Sequence, residues 1–256
     1  MSEIHSEIHT EKGIMRGIIH IPKVSNNKTI IIYHGYFSAN RVGPARLYID
    51  IARFFCNKGF AVVRFDCLGV GDSDGSFSDV TFDSFQQNFI QIYEYTKNIL
   101  SNNQYYLIGH SFGANILCIS ANSFSREDKI LLLAPEVKYK KGLDSLFNNQ
   151  QINDLAIKGW TIRKGLYING SFINVLRNQD IKKFASCILN DVILIQGSED
   201  ELYCIEGVKE LSKLIKNCIF YEIIGADHNF LDLESKENLL ETIYNHFKTF
   251  YDRSDN

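Results

Sequence analysis

The sequence predicts an α/β fold: a mostly parallel central sheet with helices on both faces and one inserted subdomain. Three observations predict it. Short, nearly all-apolar runs alternate with segments whose apolar residues recur every three or four positions. The apolar runs lack polar alternation, as strands buried on both faces require. Residues 136–188 then separate two such runs, a stretch too long for a loop inside a compact domain.

The elements follow in order. Residues 3–10 and 13–21 read as a hairpin broken at Lys12-Gly13. Thr29 to His34 is a buried strand, and a helix follows over 44–58 with Leu47, Ile51, Phe54 and Phe55 on one face. Ala61 to Phe65 is the next strand, and Asp66 to Val80 a glycine-rich loop. Residues 81–100 are helical, with Phe82, Phe85, Phe89, Tyr93 and Leu100 on one face. Tyr105 to Ile108 is a strand, 112–122 a helix and Lys129 to Leu133 a strand. Beyond the insertion come a strand over Asp191–Gln196, a helix over 204–216, a strand over Phe220–Ile224 and a helix over 235–250 with Leu239, Ile243, Phe247 and Phe250. This βαβα order implies right-handed crossovers and a parallel sheet. Within the insertion, Trp160 to Ile168 reads as a hairpin turning at Lys164-Gly165. The expected organisation is a core of residues 1–135 and 189–256 with a lid over 136–188.

Composition narrows the function classes. The 256 residues are 45% hydrophobic and 22% charged, with a net charge of -3. Those values exclude wholesale disorder, and near-neutrality argues against nucleic acid as a main partner. The six cysteines form no C-x-x-C pair, so a zinc ribbon or thioredoxin-type motif is not expected. The N-terminus lacks the basic and apolar regions of a secretory signal, and no run approaches 18 apolar residues. A cytoplasmic protein without a membrane span is the expectation.

The strongest local signal is Gly109-His110-Ser111-Phe112-Gly113, placed after a buried strand and opening a helix. A strand that turns into a helix within so few residues forces Ser111 into a strained conformation, and small residues two before and two after avoid clashes. The hydroxyl is then exposed at a helix N-terminus, where amides and the dipole favour an oxyanion. A nucleophilic serine needs a base. His228, just after the last strand, lies at the same carboxyl edge of the sheet as Ser111. Of the other histidines, His5, His9 and His20 precede the parallel sheet, His34 reads as structural, His110 points away from the nucleophile, and His246 reads as solvent-facing on the last helix. The base needs an acid. Glu199, Asp200 and Glu201 compete after the strand ending at Gln196, and Asp200 is favoured because such a turn aims it back over the strand end. An oxyanion hole needs two donors: Phe112 N–H follows from the turn itself, and Tyr36 N–H, beside Gly35, is the candidate second. The Asp66–Gly75 loop matches neither a dinucleotide fingerprint nor a calcium loop and reads as a structural turn.

The set His34-Gly35, Asp66-x-x-Gly69-x-Gly71-x-Ser73, Gly109-x-Ser111-x-Gly113, Gly197-x-x-Asp200 and Asp227-His228 resembles the α/β-hydrolase superfamily over nearly the whole chain. Within it, Gly71-Asp-Ser-Asp-Gly-Ser-Phe77, Val80-Thr81, Leu133-Ala-Pro135 and Gly225-Ala-Asp-His228 are similar to bacterial cinnamoyl/feruloyl esterase-like enzymes. A second likeness, at Val42-Gly-Pro-Ala-Arg-Leu-Tyr48 and Arg64-Phe65-Asp66, is to hydrolases of surface-polysaccharide and exosortase-type loci. The resemblance implies a lid that shapes an acyl or phenolic pocket, with Tyr36 and Phe112 in the oxyanion hole. Tyr139, Phe147, Trp160, Tyr167 and Phe172 are the lid's aromatics; Trp160, Tyr167 and Phe172 are the candidate substrate contacts, the alternative being a small core of the lid's own. The expected activity is cleavage of a small-molecule carboxylic ester through an acyl-enzyme on Ser111, with no metal or organic cofactor. Alternatives are a thioesterase or acyltransferase on a carrier-bound acyl group, a non-catalytic binding relative, and a peptidase with Glu136 anchoring the substrate amine.

Overall fold

The computed structural model describes residues 1–36, 39–102, 104–137 and 146–252, with side chains to 248. Tyr139 and the side chain of Phe250 lie outside the described residues. Among those residues an eight-stranded sheet runs in the order β1-β2-β4-β3-β5-β6-β9-β10. β1 (Ser2–Thr10) and β2 (Gly13–Ile21) form the expected hairpin, and β2 joins the sheet antiparallel to β4 (Ala61–Phe65). β3 (Lys28–Tyr33), β5 (Gln104–His110), β6 (Lys129–Leu133), β9 (Val192–Gly197) and β10 (Cys218–Ile223) are parallel.

The period of two in each strand divides the core. Ile31, Val63, Leu107, Leu132 and Leu194 face one side, where Phe85 and Phe89 of α2 (Phe82–Ile99), Leu117 of α3 (Phe112–Ile119) and Leu211 of α6 (Ile205–Leu214) cover them. Ile30, Val62, Ile108, Leu131 and Ile193 face the other, under Ile51 and Phe55 of α1 (Leu47–Asn57) and Ile243 and Phe247 of α7 (Leu233–Asp252). Both faces of β3, β4, β5, β6 and β9 are therefore sealed from water, which is why their sequences read as nearly unbroken apolar runs. Thr81 caps α2 reciprocally with Ser84.

Two details differ from the sequence reading. Residues 44–46 form a 3-10 turn ahead of α1, because Gly43-Pro44 opens it and Ala45 and Arg46 carry positive φ. His246 is half-buried with its ring 4.1 Å from that of Tyr221 instead of facing water.

Between β6 and β9 the chain forms α4 (Asn149–Lys158), the hairpin of β7 (Trp160–Arg163) and β8 (Leu166–Asn169), and α5 (Gly170–Asn178). The hairpin turns at Lys164-Gly165, both at positive φ. Phe147, Ile168, Phe172 and Ile173 of this segment are buried in the α2–α3 side of the main core.

The Asp66–Gly75 loop is a tied turn. Asp66 accepts hydrogen bonds from the Arg41 amide and guanidinium and from the Asp72 amide, while Arg41 also reaches Asp72. Arg16 takes up Asp74 at 2.6 Å, and its amide donates to Ser73 Oγ. Gly71 is obligatory here: at φ 57° a Cβ would lie 2.1 Å from the Asp66 carboxylate.

Candidate active site

The carboxyl ends of β3, β5 and β9 and the loop after β10 meet at one edge of the sheet, the edge where parallel α/β sheets hold ligands. Ser111 sits between β5 and α3 at φ 56°, ψ -123°, a conformation L-residues rarely adopt. Its amide donates to Leu133 O at 2.8 Å, which pins the turn to β6. The flanking glycines are needed for space. A Cβ on Gly109 would lie 2.6 Å from Gly113 O, and one on Gly113 2.6 Å from Tyr33 O.

Three side chains form one hydrogen-bonded chain. Ser111 Oγ is 3.0 Å from His228 Nε2, and His228 Nδ1–H donates to Asp200 Oδ2 at 2.7 Å. Asp200 is 1% exposed, while its neighbours Glu199 and Glu201 are exposed. Its Oδ2 also accepts from Gln196 Nε2, and its Oδ1 accepts the amides of Leu202 and Tyr203. Burial alone would raise this carboxyl, but His228 and the two amides outweigh it and hold it below the usual carboxylate range. Asp200 is therefore an anion at neutral pH, able to fix the tautomer of His228 and to stabilise its imidazolium.

The backbone of His228 is held too. His110 Nε2–H donates to His228 O at 3.0 Å, and His110 Nδ1 accepts from Tyr48 O–H at 2.8 Å. His110 thus turns away from the nucleophile and supports the candidate base from below. His34 likewise serves the loop: its Nδ1–H donates to Gly35 O and its Nε2 accepts the Cys67 amide. Burial and the neighbouring His228 push His110 down to about 3, and burial and Arg64 push His20 down to about 4. His20 Nε2 accepts from Arg64 Nε, which requires the neutral ring.

The sign of the resulting pH dependence is fixed. Both folded values lie below the free value of 6.5, so the unfolded chain binds more protons between these limits. The stability they supply is complete above pH 6.5 and is lost as pH falls toward 4. The thermal midpoint should drop between pH 7.5 and 4.5, and His20→Gln, which still accepts from Arg64, should flatten the drop. A midpoint unchanged across that range would contradict this assignment.

Phe112 opens α3, so its amide has no intrahelical carbonyl to bond. Gly35 packs against the same turn: a Cβ there would touch His110 O and Ser111 Cβ at 3.4 Å. Tyr36 follows, buried, with its ring stacked on Phe172 at 4.0 Å and 5.5 Å from Phe112. Phe172 therefore backs both residues of the candidate oxyanion hole. Trp160 and Tyr167 are placed elsewhere. They stack on each other at 4.7 Å on the outer face of the hairpin, while Thr161 and Ile168 take the buried face. Neither borders the cavity of about 450 Å³ into which Ser111 and His228 open. The hairpin reaches that cavity through Arg163 and Lys164 at its tip.

Two participants were not assigned a place from the sequence. Gln196 and Asn115 are polar residues inside apolar runs, which was the available signal. Glu136, raised only as an amine anchor, lies with Oε1 3.1 Å from Ser111 Oγ. Ala134 turns the chain at φ 46°, and the Asn115 side chain then holds Glu136 by both its N–H and its C=O, at 2.9 and 3.0 Å.

A family model described as serine aminopeptidase, S33, matches residues 25–187. The chain belongs to this family. It is an α/β hydrolase with likeness to esterases and thioesterases. The bovine mitochondrial palmitoyl-protein thioesterase ABHD10 is 29% identical over 201 residues, 75% of this chain and 59% of that protein. The match thus spans about three-fifths of the relative's length. Among solved structures, Est1E of Butyrivibrio proteoclasticus with bound ferulic acid superposes with a TM-score of 0.75 at 24% identity, covering 93% of this chain and 99% of Est1E. Mouse ABHD10 gives 0.74 at 18% identity, covering 96% and 99%. At those identities the structures share the fold. Among the described residues, no helix is long and apolar enough to cross a membrane, and no cluster of His, Cys, Asp and Glu is arranged to hold a metal.

Proposed function

We propose that this S33-family hydrolase cleaves carboxylic esters or thioesters through an acyl-enzyme on Ser111. The observation that carries the reading is the hydrogen-bonded chain from Ser111 Oγ through His228 to a buried, anionic Asp200. Ser111 Oγ attacks the carbonyl carbon as His228 Nε2 takes its proton. The Tyr36 and Phe112 amides receive the carbonyl oxygen as it becomes negative. The tetrahedral adduct expels the alcohol or thiol, which leaves with the proton from His228. Water, deprotonated by the same imidazole, then attacks the acyl-enzyme and frees Ser111. Phe172, stacked on Tyr36, keeps the hole rigid. We assign residues 136–188 as a lid on a core of 1–135 and 189–256. The name of the bovine relative supports the thioester arm, and six free cysteine thiols support a reducing compartment such as the cytoplasm. The test is a panel of p-nitrophenyl acyl esters, methyl ferulate and acyl-CoA thioesters, with wild type beside Ser111→Ala. The preferred member chooses between ester and thioester. A folded protein that turns over none of them would overturn the reading.

One contact favours a second reading. A carboxylate 3.1 Å from the nucleophile is well placed for an ammonium one carbon from the scissile carbonyl, as in an aminoacyl substrate. Glu136 Oε1 and His228 Nε2 both lie within hydrogen-bond distance of Ser111 Oγ and compete for its single hydroxyl proton. Glu136→Gln should therefore lower kcat/KM on an aminoacyl p-nitroanilide by at least about tenfold, the scale of a lost charge-assisted hydrogen bond. It should leave p-nitrophenyl acetate unchanged or faster. Equal losses on both would remove the amine-binding role.

A further inference from the structure

β1 forms one edge of the sheet, and its sequence repeats: Ser2-Glu-Ile-His5 is followed at once by Ser6-Glu-Ile-His9. Among the described residues β1 pairs with β2 alone, so its other edge is open. β2 fixes which backbone groups point there. Arg16 O accepts the Asp66 amide and Ile14 O the Asp74 amide, while the Ile14 and Arg16 amides donate to Asp74 and Ser73. The even-numbered residues of β2 therefore turn their backbone groups away from β1, and Met15, Gly17 and Ile19 bond to their partners Ile8, Ser6 and Ile4. That leaves the N–H and C=O of Glu3, His5, Glu7 and His9 aimed at the open edge. The side chains of the same four residues share one face of the strand, in the order Glu, His, Glu, His, and all four residues are exposed. Glu3 accepts from Arg53 through Oε1, and Glu7 lies 3.4 Å from Arg16 and 3.6 Å from His9, ion pairs longer than a good hydrogen bond.

We propose that two copies of this chain pair β1 against β1, antiparallel, about a two-fold axis at Ser6. Glu3 of one copy then faces His9 of the other, and His5 faces Glu7, each match occurring twice about the axis. These are the positions whose backbone groups are open, so about eight backbone hydrogen bonds join the copies. An imidazole N–H donates to a carboxylate whether or not the ring is charged. On the opposite face Ile4, 49% exposed, meets Ile8, and Ser6 meets its own counterpart. The charges select this register. Moving the axis to His5 sets Glu3 against Glu7, and moving it to Glu7 sets Glu7 against itself, like charges that destabilise a strand pair. An axis at Ile4 or Ile8 restores the match but pairs only part of the strand. The alternation that repels an arbitrary strand thus admits one partner, the same strand of a second copy.

Sedimentation equilibrium of the full chain should show a dimer whose fraction rises with protein concentration. His5→Glu sets a carboxylate against Glu7 at two symmetric places and should weaken the dimer by about tenfold. Exchanging the pair, His5→Glu with Glu7→His, restores the match and should recover it. Both positions are exposed, so far-UV circular dichroism and the thermal midpoint should match those of the parent. Ser6→Cys reads the register. On the axis it faces itself across a pair without backbone hydrogen bonds, with Cα atoms about 4.5 Å apart, so diamide should join two chains through it. Ile4→Cys faces Ile8 and should cross-link no more than the native cysteines of the wild type. A monomer at every concentration, a dimer indifferent to His5→Glu or not recovered by the exchange, or cross-linking of Ser6→Cys no greater than that of Ile4→Cys would each overturn the proposal. Ser111 takes no part in any of these readouts, so the hydrolytic reading stands or falls separately.

Discussion

Ser111→Ala is expected to lower kcat on the best ester by about 10⁶, the scale of losing a triad serine. Every other part of the site stays in place. His228 remains bonded to Asp200, and the amides of Tyr36 and Phe112 are untouched. A residual acceleration of about 10³ over water should persist from the hole and from binding. The variant should fold normally, because alanine keeps the Cβ and so leaves the backbone strain at φ 56° as it was. Glycine would relieve that strain and should raise stability by about 1 kcal/mol while remaining inactive. The pair of substitutions, read by turnover and thermal midpoint together, separates chemistry from folding. A Ser111→Ala protein that keeps a tenth of wild-type turnover would remove Ser111 from the mechanism.

Asp200→Asn should cost about 10⁴ in kcat, and here stability falls as well. Among the described residues, the donors to Asp200 include His228 Nδ1–H, Gln196 Nε2–H and the amides of Leu202 and Tyr203. An asparagine must present its NH₂ to one of these pairs in either flip. If it faces Oδ2's partners, His228 is forced into the tautomer with Nε2 protonated, which cannot take the proton of Ser111. If it faces the two backbone amides, buried donors oppose a donor. Leaving such groups unsatisfied costs about 1–3 kcal/mol. Activity and thermal midpoint should therefore drop together, and Asp200→Glu should recover little, since this socket of donors is shaped for the shorter side chain. Retention of both activity and midpoint in Asp200→Asn would show that the carboxylate is not the orienting acid.

Most of the architecture was legible because the central strands β3, β4, β5, β6 and β9 are buried on both faces. Runs such as Thr29–His34 admit no other reading once their spacing to glycine-rich turns is considered. The chain Ser111–Asp200–His228 followed from topology, since each residue lies just beyond the carboxyl end of a parallel strand. Glu136 was harder. Its approach to Ser111 depends on the left-handed turn at Ala134 and on the Asn115 clamp, neither of which has a local pattern. The hairpin aromatics show the limit of composition. Trp160 and Tyr167 share their strands with Thr161 and Ile168, and only the register tells which pair turns inward. Phe172 lies on a helix instead, and its partner Tyr36 is 136 positions away, a contact no local period contains.

A fluorophosphonate probe tests, without knowledge of the substrate, whether Ser111 is a nucleophile activated by His228. Attack by Ser111 Oγ on phosphorus forms the ester bond and expels fluoride, leaving a stable adduct. One adduct per chain is expected by intact mass, mapped to Ser111, absent from Ser111→Ala and formed far more slowly in His228→Ala. A folded wild-type protein that stays unlabelled, or that labels equally after Ser111→Ala, would contradict that role for Ser111.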